Sequence, residues 1–275
     1  MRLFTRRYEE WGYQGSYEKI EKKYLRINTL RTKTLPKKFN LVKVPFLEDG
    51  YESKADFSLA SSPEYLQGLF YLQDASTQLA AEVLNPQQID RVLDMAAAPG
   101  GKTTHLAARM KNKGLIVALD SSHGRIQKLK NNLERLGVAN CVVYQKDAQY
   151  VSDLNMQFDK VLLDAPCSGN FSLDAQWFEK RDFEGINANA RLQKKLLRSA
   201  VGVCKPGGIV LYCTCSLEKE ENEDVIEWAL DELNVELVPI NKDVGVAGIT
   251  EKTALCKRIW PGETQGFFLA KLKKV

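Results

Sequence analysis

Short hydrophobic runs alternate with amphipathic segments from about residue 89 to the end of the chain. The runs carry few polar positions, which is typical of parallel strands buried on both faces, and the segments between them repeat apolar residues at helical spacing. This alternation predicts a doubly wound α/β domain with a mostly parallel sheet. The predicted strands cover residues 91–94, 115–119, 141–144, 160–163, 208–213, 235–238 and 266–272, and the predicted helices cover residues 102–111, 122–136, 188–204 and 220–233.

The α/β domain covers residues 89–275, and the chain before it divides into two further regions. Residues 1–60 predict a small basic α+β domain, with a helix over residues 16–23 and a strand over residues 24–28. Residues 61–88 are predicted to be a connector. Its helix, residues 75–84, is expected to end before Pro86 because proline cannot continue a helix.

The net charge of the chain is +4, but the charge is unevenly distributed. Residues 1–45 hold twelve Lys and Arg against four Asp and Glu, with aromatic residues interspersed among them. Basic charge attracts phosphate and aromatic faces stack on bases, so this segment predicts contact with nucleic acid. The alternative is a solvated basic surface whose aromatic residues belong to a small core.

No stretch approaches the roughly 18 consecutive apolar residues of a membrane span, and the first residues lack the apolar core of a secretory signal. These features predict a cytoplasmic protein without a membrane partner. The six cysteines show no paired C-x-x-C spacing, which predicts reduced thiols and no metal site.

A loop of small residues follows the first strand of the α/β domain, and its two glycines let the backbone approach a ligand closely. A nucleoside-triphosphate loop would need glycine at position 96, where alanine stands, and a dinucleotide fingerprint would need G-x-G-x-x-G. Both classes stay open as weaker alternatives. The loop residues that we expect to contact a cofactor are Ala96, Ala97, Ala98, Pro99, Gly100, Gly101 and Lys102.

Acidic residues end or follow three successive predicted strands, namely Asp120, Asp147 and Asp164. Asp120 is placed to accept hydrogen bonds from both hydroxyls of a ribose, and Asp147 is expected near an adenine. An adenosine cofactor that needs no triphosphate fits S-adenosylmethionine. Seven strands whose last two form a hairpin edge then predict the Rossmann-like fold of S-adenosylmethionine-dependent methyltransferases.

Two cysteines, Cys167 and Cys215, lie just beyond predicted buried strands, where the carboxyl ends of parallel strands form a ligand crevice. Carbon 5 of a pyrimidine is too weak a nucleophile to accept a methyl group unaided. A thiolate that adds to carbon 6 makes carbon 5 enamine-like, and an acid at ring nitrogen 3 stabilises the developing charge. Two thiols beside Asp164 therefore predict covalent methylation of a pyrimidine. The alternative is that they are small buried hydrophobes, as we expect for the remaining cysteines, Cys141, Cys204, Cys213 and Cys256.

Three motifs together resemble the Nol/Nop/Sun family of RNA cytosine-5 methyltransferases: LDMAAAPGGKT at residues 93–103, DAPCSG at 164–169 and TCS at 214–216. The sequence GLFYLQDAS at residues 68–76 is similar to that family too, so the resemblance runs over about residues 60–272. It implies that Cys215 is the nucleophile and that Cys167 assists product release. It also implies that Asp164 binds both cofactor and target base, with Lys102 in the same site and Arg125 beside the cofactor. DNA cytosine methyltransferases use a Pro-Cys motif instead, which here would be Cys167.

The resemblance further implies that residues 1–60 are a truncated domain similar to an RNA-recognition motif. The compact chain looks most like the archaeal tRNA enzymes of this family, so tRNA is the expected substrate and no obligatory protein partner is evident. Ribosomal RNA is the alternative substrate. A catalytically silent RNA-binding module and a methyltransferase of amine or adenine acceptors are alternatives of other classes, but neither needs the thiols.

The chain departs from the family near its end. Pro261-Gly262 and Gln265-Gly266-Phe267-Phe268 stand where the family often has Pro-His and Asp-Gly-Phe-Phe. No role of those His and Asp side chains can be carried over.

Overall fold

The computed structural model describes residues 2–275, which form a small antiparallel sheet and a large mixed one. The small sheet has the strand order β2-β3-β1-β4 and packs over a core that includes Leu25, Phe39 and Phe70. Its strands are β1 (Tyr24–Ile27), β2 (Leu41–Lys43), β3 (Gly50–Ser53) and β4 (Phe70–Leu72).

The large sheet carries the predicted α/β architecture. Its strands are β5 (Arg91–Asp94), β6 (Leu115–Asp120), β7 (Cys141–Gln145), β8 (Phe158–Asp164), β9 (Cys204–Thr214), β10 (Val235–Leu237), β11 (Val246–Ala247), β12 (Lys257–Ile259) and β13 (Phe267–Lys274). They lie in the order β11-β12-β13-β9-β8-β5-β6-β7, with β10 paired to β13. Strands β5 to β9 are parallel to one another, whereas β13 runs antiparallel to β9. The predicted fold class is confirmed, and the short strands β11 and β12 extend the sheet beyond the seven expected strands.

Alternate strand residues point to opposite faces of the large sheet. Both faces carry apolar side chains, and helices cover both. Leu211 packs with the helices at residues 75–84 and 101–109 on one face, and Val210 and Tyr212 pack with those at residues 183–203 and 223–232 on the other. No helix within residues 2–275 is long and apolar enough to cross a membrane. The helices are α1 (Arg2–Glu10), α2 (Pro63–Leu66), α3 (Ala75–Leu84), α4 (Gly101–Arg109), α5 (His123–Leu136), α6 (Trp177–Lys180), α7 (Phe183–Val203) and α8 (Glu223–Glu232).

The predicted helix over residues 16–23 is wrong. The N-terminal helix is α1, which ends before Gly12, a residue whose φ of 95° leaves the helical region. The chain then runs without helical structure along the α/β domain, where Ile20 N donates a hydrogen bond to Ser172 O (3.1 Å) and the ring of Tyr17 packs 5.2 Å from that of Phe171. These long-range contacts override the weak local helical pattern. The strand predicted next, over residues 24–28, is confirmed as β1.

The aromatic residues of the basic segment are largely core residues. Phe4, Tyr8 and Tyr13 are buried against the α/β domain in a cluster with Trp177. The Tyr8 hydroxyl donates a hydrogen bond to the buried Glu218 carboxylate. The alternative given above, a small core, is therefore confirmed for these rings, which cannot stack on bases.

Three of the cysteines predicted to be buried hydrophobes are buried: Cys204, Cys213 and Cys256. Cys141 is only partly buried, and the prediction is wrong there because β7 is the edge strand of the sheet.

We expect Phe4→Ala to lower the free energy of unfolding by about 3–5 kcal/mol, because the change leaves a cavity in a close-packed aromatic cluster. The neighbouring Leu3, whose side chain is 60% exposed against 6% for Phe4, provides the control. Leu3→Ala should cost less than about 0.5 kcal/mol. Denaturant unfolding followed by circular dichroism measures both. Equal losses would show that α1 is not anchored through its buried face.

Candidate active site

The loop between β5 and α4 is tied to the strands on either side of β5. Met95 N donates to Leu162 O of β8 (3.0 Å), and Ala97 N donates to Leu119 O of β6 (2.8 Å). Gly100 turns the loop into α4 with a φ of 107°, where any other residue would be strained. The loop backbone is thereby held close to the carboxyl ends of three parallel strands.

A cavity of about 360 Å³ opens beside this loop at the ends of β6, β7 and β8. Asp120 is held in its wall: its carboxylate accepts hydrogen bonds from Ala98 N (3.3 Å) and Ser122 N (3.0 Å), and Arg125 Nη2 lies 3.5 Å away. Arg125 also donates to Ala98 O (2.6 Å). The predicted cofactor residues that line this cavity are Ala96, Asp120, Arg125, Asp147 and Asp164.

A second cavity, of about 310 Å³, adjoins the first at Ala96 and Asp164. The structure thus distributes the predicted loop residues over two spaces rather than one, except Gly100, which lines neither and faces Leu129 of α5. Those in the second cavity are Ala97, Ala98, Pro99, Gly101 and Lys102.

The predicted reactive groups meet where β8 and β9 end. The Sγ atoms of Cys167 and Cys215 lie 3.2 Å apart, and both line the first cavity. Lys102 Nζ donates to Asp164 Oδ2 at 2.7 Å. Cys213, which the sequence suggested was only a buried hydrophobe, places its Sγ 3.5 Å from Asp164 Oδ1. The Cys167 and Cys215 thiols and the Lys102–Asp164 pair therefore lie near one another at the ends of these strands.

Either sulfur can donate in the contact between Cys167 and Cys215, and the two thiols differ in acidity when Cys215 is the acceptor. The hydrogen bond from Cys167 lowers the pKa of Cys215, and the nearby Lys102 ammonium acts in the same direction. The same hydrogen bond, together with burial, raises the pKa of Cys167. Burial opposes the charged form of Lys102, but the Asp164 carboxylate together with Cys213 and Cys215 raises the Lys102 pKa. Cys215 is thus the thiol that forms a thiolate more readily.

Buried hydrogen bonds made by Ser168, Glu221, Gln193 and Asn170 hold the segments that carry the two thiols, and the sequence did not predict them. The backbone N and Oγ of Ser168 donate to the buried Glu221 carboxylate at 3.0 and 2.6 Å, and Gln193 Nε2 donates to Pro166 O at 2.9 Å. Asn170 Nδ2 donates to Cys215 O at 2.6 Å. Burial raises the pKa of Glu221, and the Ser168 hydrogen bonds partly offset that rise. Ser168 lies within a motif, but Glu221 stands in an acidic run that resembles a solvated helix start.

We expect iodoacetamide to label Cys215 before Cys167 near pH 8, because the thiolate is the reactive form and the pKa of Cys215 lies below the ordinary 9.0. Cys167→Ala removes the hydrogen bond, so the labelling of Cys215 should shift to higher pH. Peptide mass spectrometry over a pH series measures both effects, with the buried Cys256 as an unlabelled control in the folded protein. Faster labelling of Cys167, or a profile that does not move, would contradict the assignment.

Two family models and a solved structure match this chain. A family model described as 16S rRNA methyltransferase RsmB/F matches residues 81–273, and one for the N-terminal domain of 16S rRNA methyltransferase RsmF matches residues 2–75. A solved structure of a methyltransferase homolog protein from Pyrococcus horikoshii superimposes with a TM-score of 0.90 at 39% identity, covering 100% of this chain and 95% of that one.

Two curated relatives extend the comparison. A 28S rRNA (cytosine-C(5))-methyltransferase of Mus musculus is 42% identical over 232 residues, which are 78% of this chain and 29% of the relative. A tRNA (cytosine(72)-C(5))-methyltransferase of Pyrococcus horikoshii is 39% identical over 220 residues, which are 79% of this chain and 56% of the relative. The chain thus spans less than two thirds of the length of either. These matches confirm the resemblance inferred from the motifs, and the chain belongs to the 16S rRNA methyltransferase RsmB/F family.

Proposed function

We propose that this protein transfers a methyl group from S-adenosylmethionine to carbon 5 of cytosine in RNA, with tRNA as the substrate. The observation that carries the proposal is the pair of thiols 3.2 Å apart, beside Lys102 and Asp164, in the wall of the cofactor cavity. A methyltransferase acting on a nucleophilic nitrogen would need no such pair.

The first cavity suits S-adenosylmethionine in the chemistry of its walls. Asp120 and Asp147 offer carboxylate acceptors for the ribose hydroxyls and the adenine amino group, and Leu192 and Leu196 offer apolar surface. Asp164 provides a further carboxylate where this cavity meets the thiols. When bound there, S-adenosylmethionine supplies an electrophilic methyl group to carbon 5 of the base.

Cys215 acts as the nucleophile in this proposal. Its thiolate adds to carbon 6 of cytosine, and the electron pair of the 5,6 double bond moves to carbon 5, which becomes nucleophilic. After methylation, water accepts the carbon-5 proton, the electron pair of that C–H bond forms the 5,6 double bond again, and the Cys215 thiolate leaves carbon 6. Cys167 lies beside the sulfur that must leave and assists this release.

The Lys102–Asp164 pair distinguishes cytosine from uracil and stabilises the adduct. Its ammonium is a donor for ring nitrogen 3, and its carboxylate is an acceptor for the 4-amino group of cytosine. Uracil presents the opposite pattern, with a donor at nitrogen 3 and an acceptor at position 4. Because the pair is already formed at 2.7 Å, little reorganisation accompanies the charge that develops on the ring.

The choice of tRNA rests on the archaeal relative named as a tRNA enzyme, which is 39% identical to this chain. The family model and the mouse relative are named for ribosomal RNA, which makes rRNA the second candidate. Lysines and arginines of the N-terminal 60 residues that remain exposed after folding provide phosphate contacts in either case. A cytoplasmic location and the absence of an obligatory protein partner stay predictions from the sequence.

The function is tested by methyl transfer from labelled S-adenosylmethionine to unmodified tRNA, followed by nucleoside analysis. We expect 5-methylcytosine from the parent protein and none from Cys215→Ala, which lacks the nucleophile. Cys167→Ala should instead accumulate a covalent protein–RNA adduct on denaturing gels, because release is slowed. An active Cys215→Ala together with an inactive, adduct-free Cys167→Ala would reverse the nucleophile assignment. Labelled rRNA with unlabelled tRNA would support the second candidate.

We expect Asp147→Ala to weaken S-adenosylmethionine binding about tenfold or more, because a hydrogen bond to a charged group contributes about 1.5–3 kcal/mol and 1.4 kcal/mol is tenfold. Titration calorimetry measures the Kd. Asp147 also caps the 3₁₀ segment Ala148–Leu154 by accepting from Gln149 N. Asp147→Ser keeps a capping oxygen and should bind as weakly as the Ala variant. Full affinity of the Ser variant would assign the loss to the cap.

A further inference from the structure

Helix α7 carries a row of basic side chains on the face that turns away from the large sheet. Its buried face includes Leu197 and Ala200, which pack with the strands of that sheet. The basic residues are three or four positions apart, so they share the opposite face of the helix. All but Lys194, which is partly exposed, are fully exposed, and the row consists of Arg191, Lys194, Lys195 and Arg198.

The positive charge of this basic row is not neutralised within α7. No carboxylate within residues 2–275 forms an ion pair with any of its side chains. Glu184 is the single acidic residue of the helix, and it lies seven positions before Arg191, which is about 10 Å along the helix axis. The basic row itself extends over a further length of about 10 Å.

Most acidic residues of the neighbouring helix α8 have partners that lie outside α7. The pairs are Glu223 with Arg258, Asp224 with Lys219, Glu227 with Thr250 and Asp231 with Lys252. Glu232, the last residue of α8, is the one acid of that helix to which residues 2–275 supply no such partner. The carboxylates of α8 therefore form no ion pairs with the basic row.

Trp228 of α8 orders two of the basic groups without removing their charge. The Lys194 ammonium lies 5.7 Å and the Arg198 guanidinium lies 5.3 Å from the centre of the Trp228 ring. A cation–π contact positions a cationic group but leaves its hydrogen-bond donors available to an anion. The basic row is therefore partly ordered in advance, which lowers the entropic cost of binding a ligand there.

The basic row passes beside the proposed catalytic site. Leu192 and Leu196, which lie among the basic positions of α7, line the first cavity. Arg181 is exposed and donates from Nε to Ser168 O at 2.9 Å. A further cation thus stands beside the segment that carries Cys167, on the way from the thiols to α7.

The small sheet of the basic N-terminal region packs on the other face of the large sheet. It contacts α4, because Arg26 Nη2 donates to Thr104 Oγ1 at 2.9 Å, whereas α7 covers the opposite face. The carboxyl ends of β8 and β9, where the thiols lie, separate these two basic surfaces. An RNA strand that crosses this edge to reach the thiols can therefore contact phosphate-binding groups on both sides.

The chemistry of the outer face of α7 favours a nucleic-acid backbone over a protein. Protein interfaces centre on aromatic and aliphatic side chains that become buried. In the part of the chain that the structure describes, no large hydrophobic residue of α7 or α8 is exposed. Repeated cations without an apolar centre match the regularly spaced phosphates of RNA, which are bound chiefly by Lys and Arg.

We propose that the outer face of α7 binds the phosphate backbone of the substrate RNA beside the target nucleotide. The catalytic domain then has an RNA-binding surface of its own, in addition to the N-terminal region. The inference rests on the proposed function, because it takes the bound polyanion to be the RNA whose cytosine reaches Cys215. These contacts add affinity and orient the strand, but they do not read its sequence.

The test compares double variants of the whole chain. Arg191→Gln with Lys195→Gln removes two exposed charges, and Arg191→Lys with Lys195→Arg keeps both. The matched control is Arg91→Gln with Lys113→Gln, which removes one exposed arginine and one exposed lysine near the amino-terminal ends of β5 and β6, at the opposite edge of the sheet. None of these four side chains forms an ion pair within residues 2–275.

Fluorescence anisotropy measures the Kd of labelled, unmodified tRNA over a salt series, without S-adenosylmethionine. Loss of two phosphate contacts should raise the Kd by about tenfold or more near about 0.1 M salt, and should reduce the slope of log K against log salt by about 1.4–1.8. The charge-keeping variant and the control should bind within about twofold of the parent, because distant surface charges are screened. The Kd of S-adenosylmethionine, measured by calorimetry, should be the same for all four proteins.

Equal Kd values and salt slopes for the charge-removing α7 variant and the control would overturn the proposal. Equal weakening in the charge-keeping variant would also contradict it, because the loss would then not come from charge. Retained tRNA binding together with lost binding of polyglutamate would assign the face to an acidic protein instead. Failure of the proposed function is a separate result, since the parent then yields no 5-methylcytosine in any RNA, whatever the Kd values are.

Discussion

The parallel pairing of β8 with β9 is the constraint on which the reactive site depends. Asp164 lies opposite Cys213 in this register, and both strands end within a few residues of that point. A shift of one residue would turn every side chain of one strand to the other face and would separate Asp164 from its partners. Because the register holds, the two segments that leave the strands run side by side and bring Cys167 and Cys215 within 3.2 Å.

Buried polar groups hold these two segments after the strands have ended. Glu221 binds Ser168 in one segment, and Arg258 donates to Leu217 O (2.7 Å) in the other while pairing with Glu223 at 2.5 Å. Removing one partner of such a buried ion pair costs about 3–5 kcal/mol, because the remaining charge is left uncompensated. These buried contacts therefore make the thiol geometry part of the folded core rather than a property of mobile loops.

The N-terminal helix α1 also stabilises the segments that leave β8 and β9. Arg7 pairs with Glu218 and Glu220, which follow the Cys215 segment, and the buried aromatic rings of α1 pack beside Trp177. Trp177 Nε1 in turn donates to Ser168 O at 2.8 Å. Aromatic residues that looked suited to base stacking instead stabilise the segments that carry the thiols. The second cavity also has walls from both sheets, because Tyr71 and Leu72 belong to β4 and Asp164 ends β8.

The sequence by itself determined the α/β domain and proposed the reactive residues. Hydrophobic periodicity is a local property, so the parallel strands and the longer helices after residue 89 were predicted, whereas the short elements α6, β11 and β12 were not. The motifs proposed Cys167, Cys215 and Asp164 at predicted strand ends and Lys102 at the start of a predicted helix. Only the tertiary structure decided that residues 16–23 are not helical, that Glu221 is buried, and that the loop residues face two cavities. Those features depend on contacts between segments distant in sequence, such as Ile20 with Ser172 and Glu221 with Ser168, which no local pattern encodes.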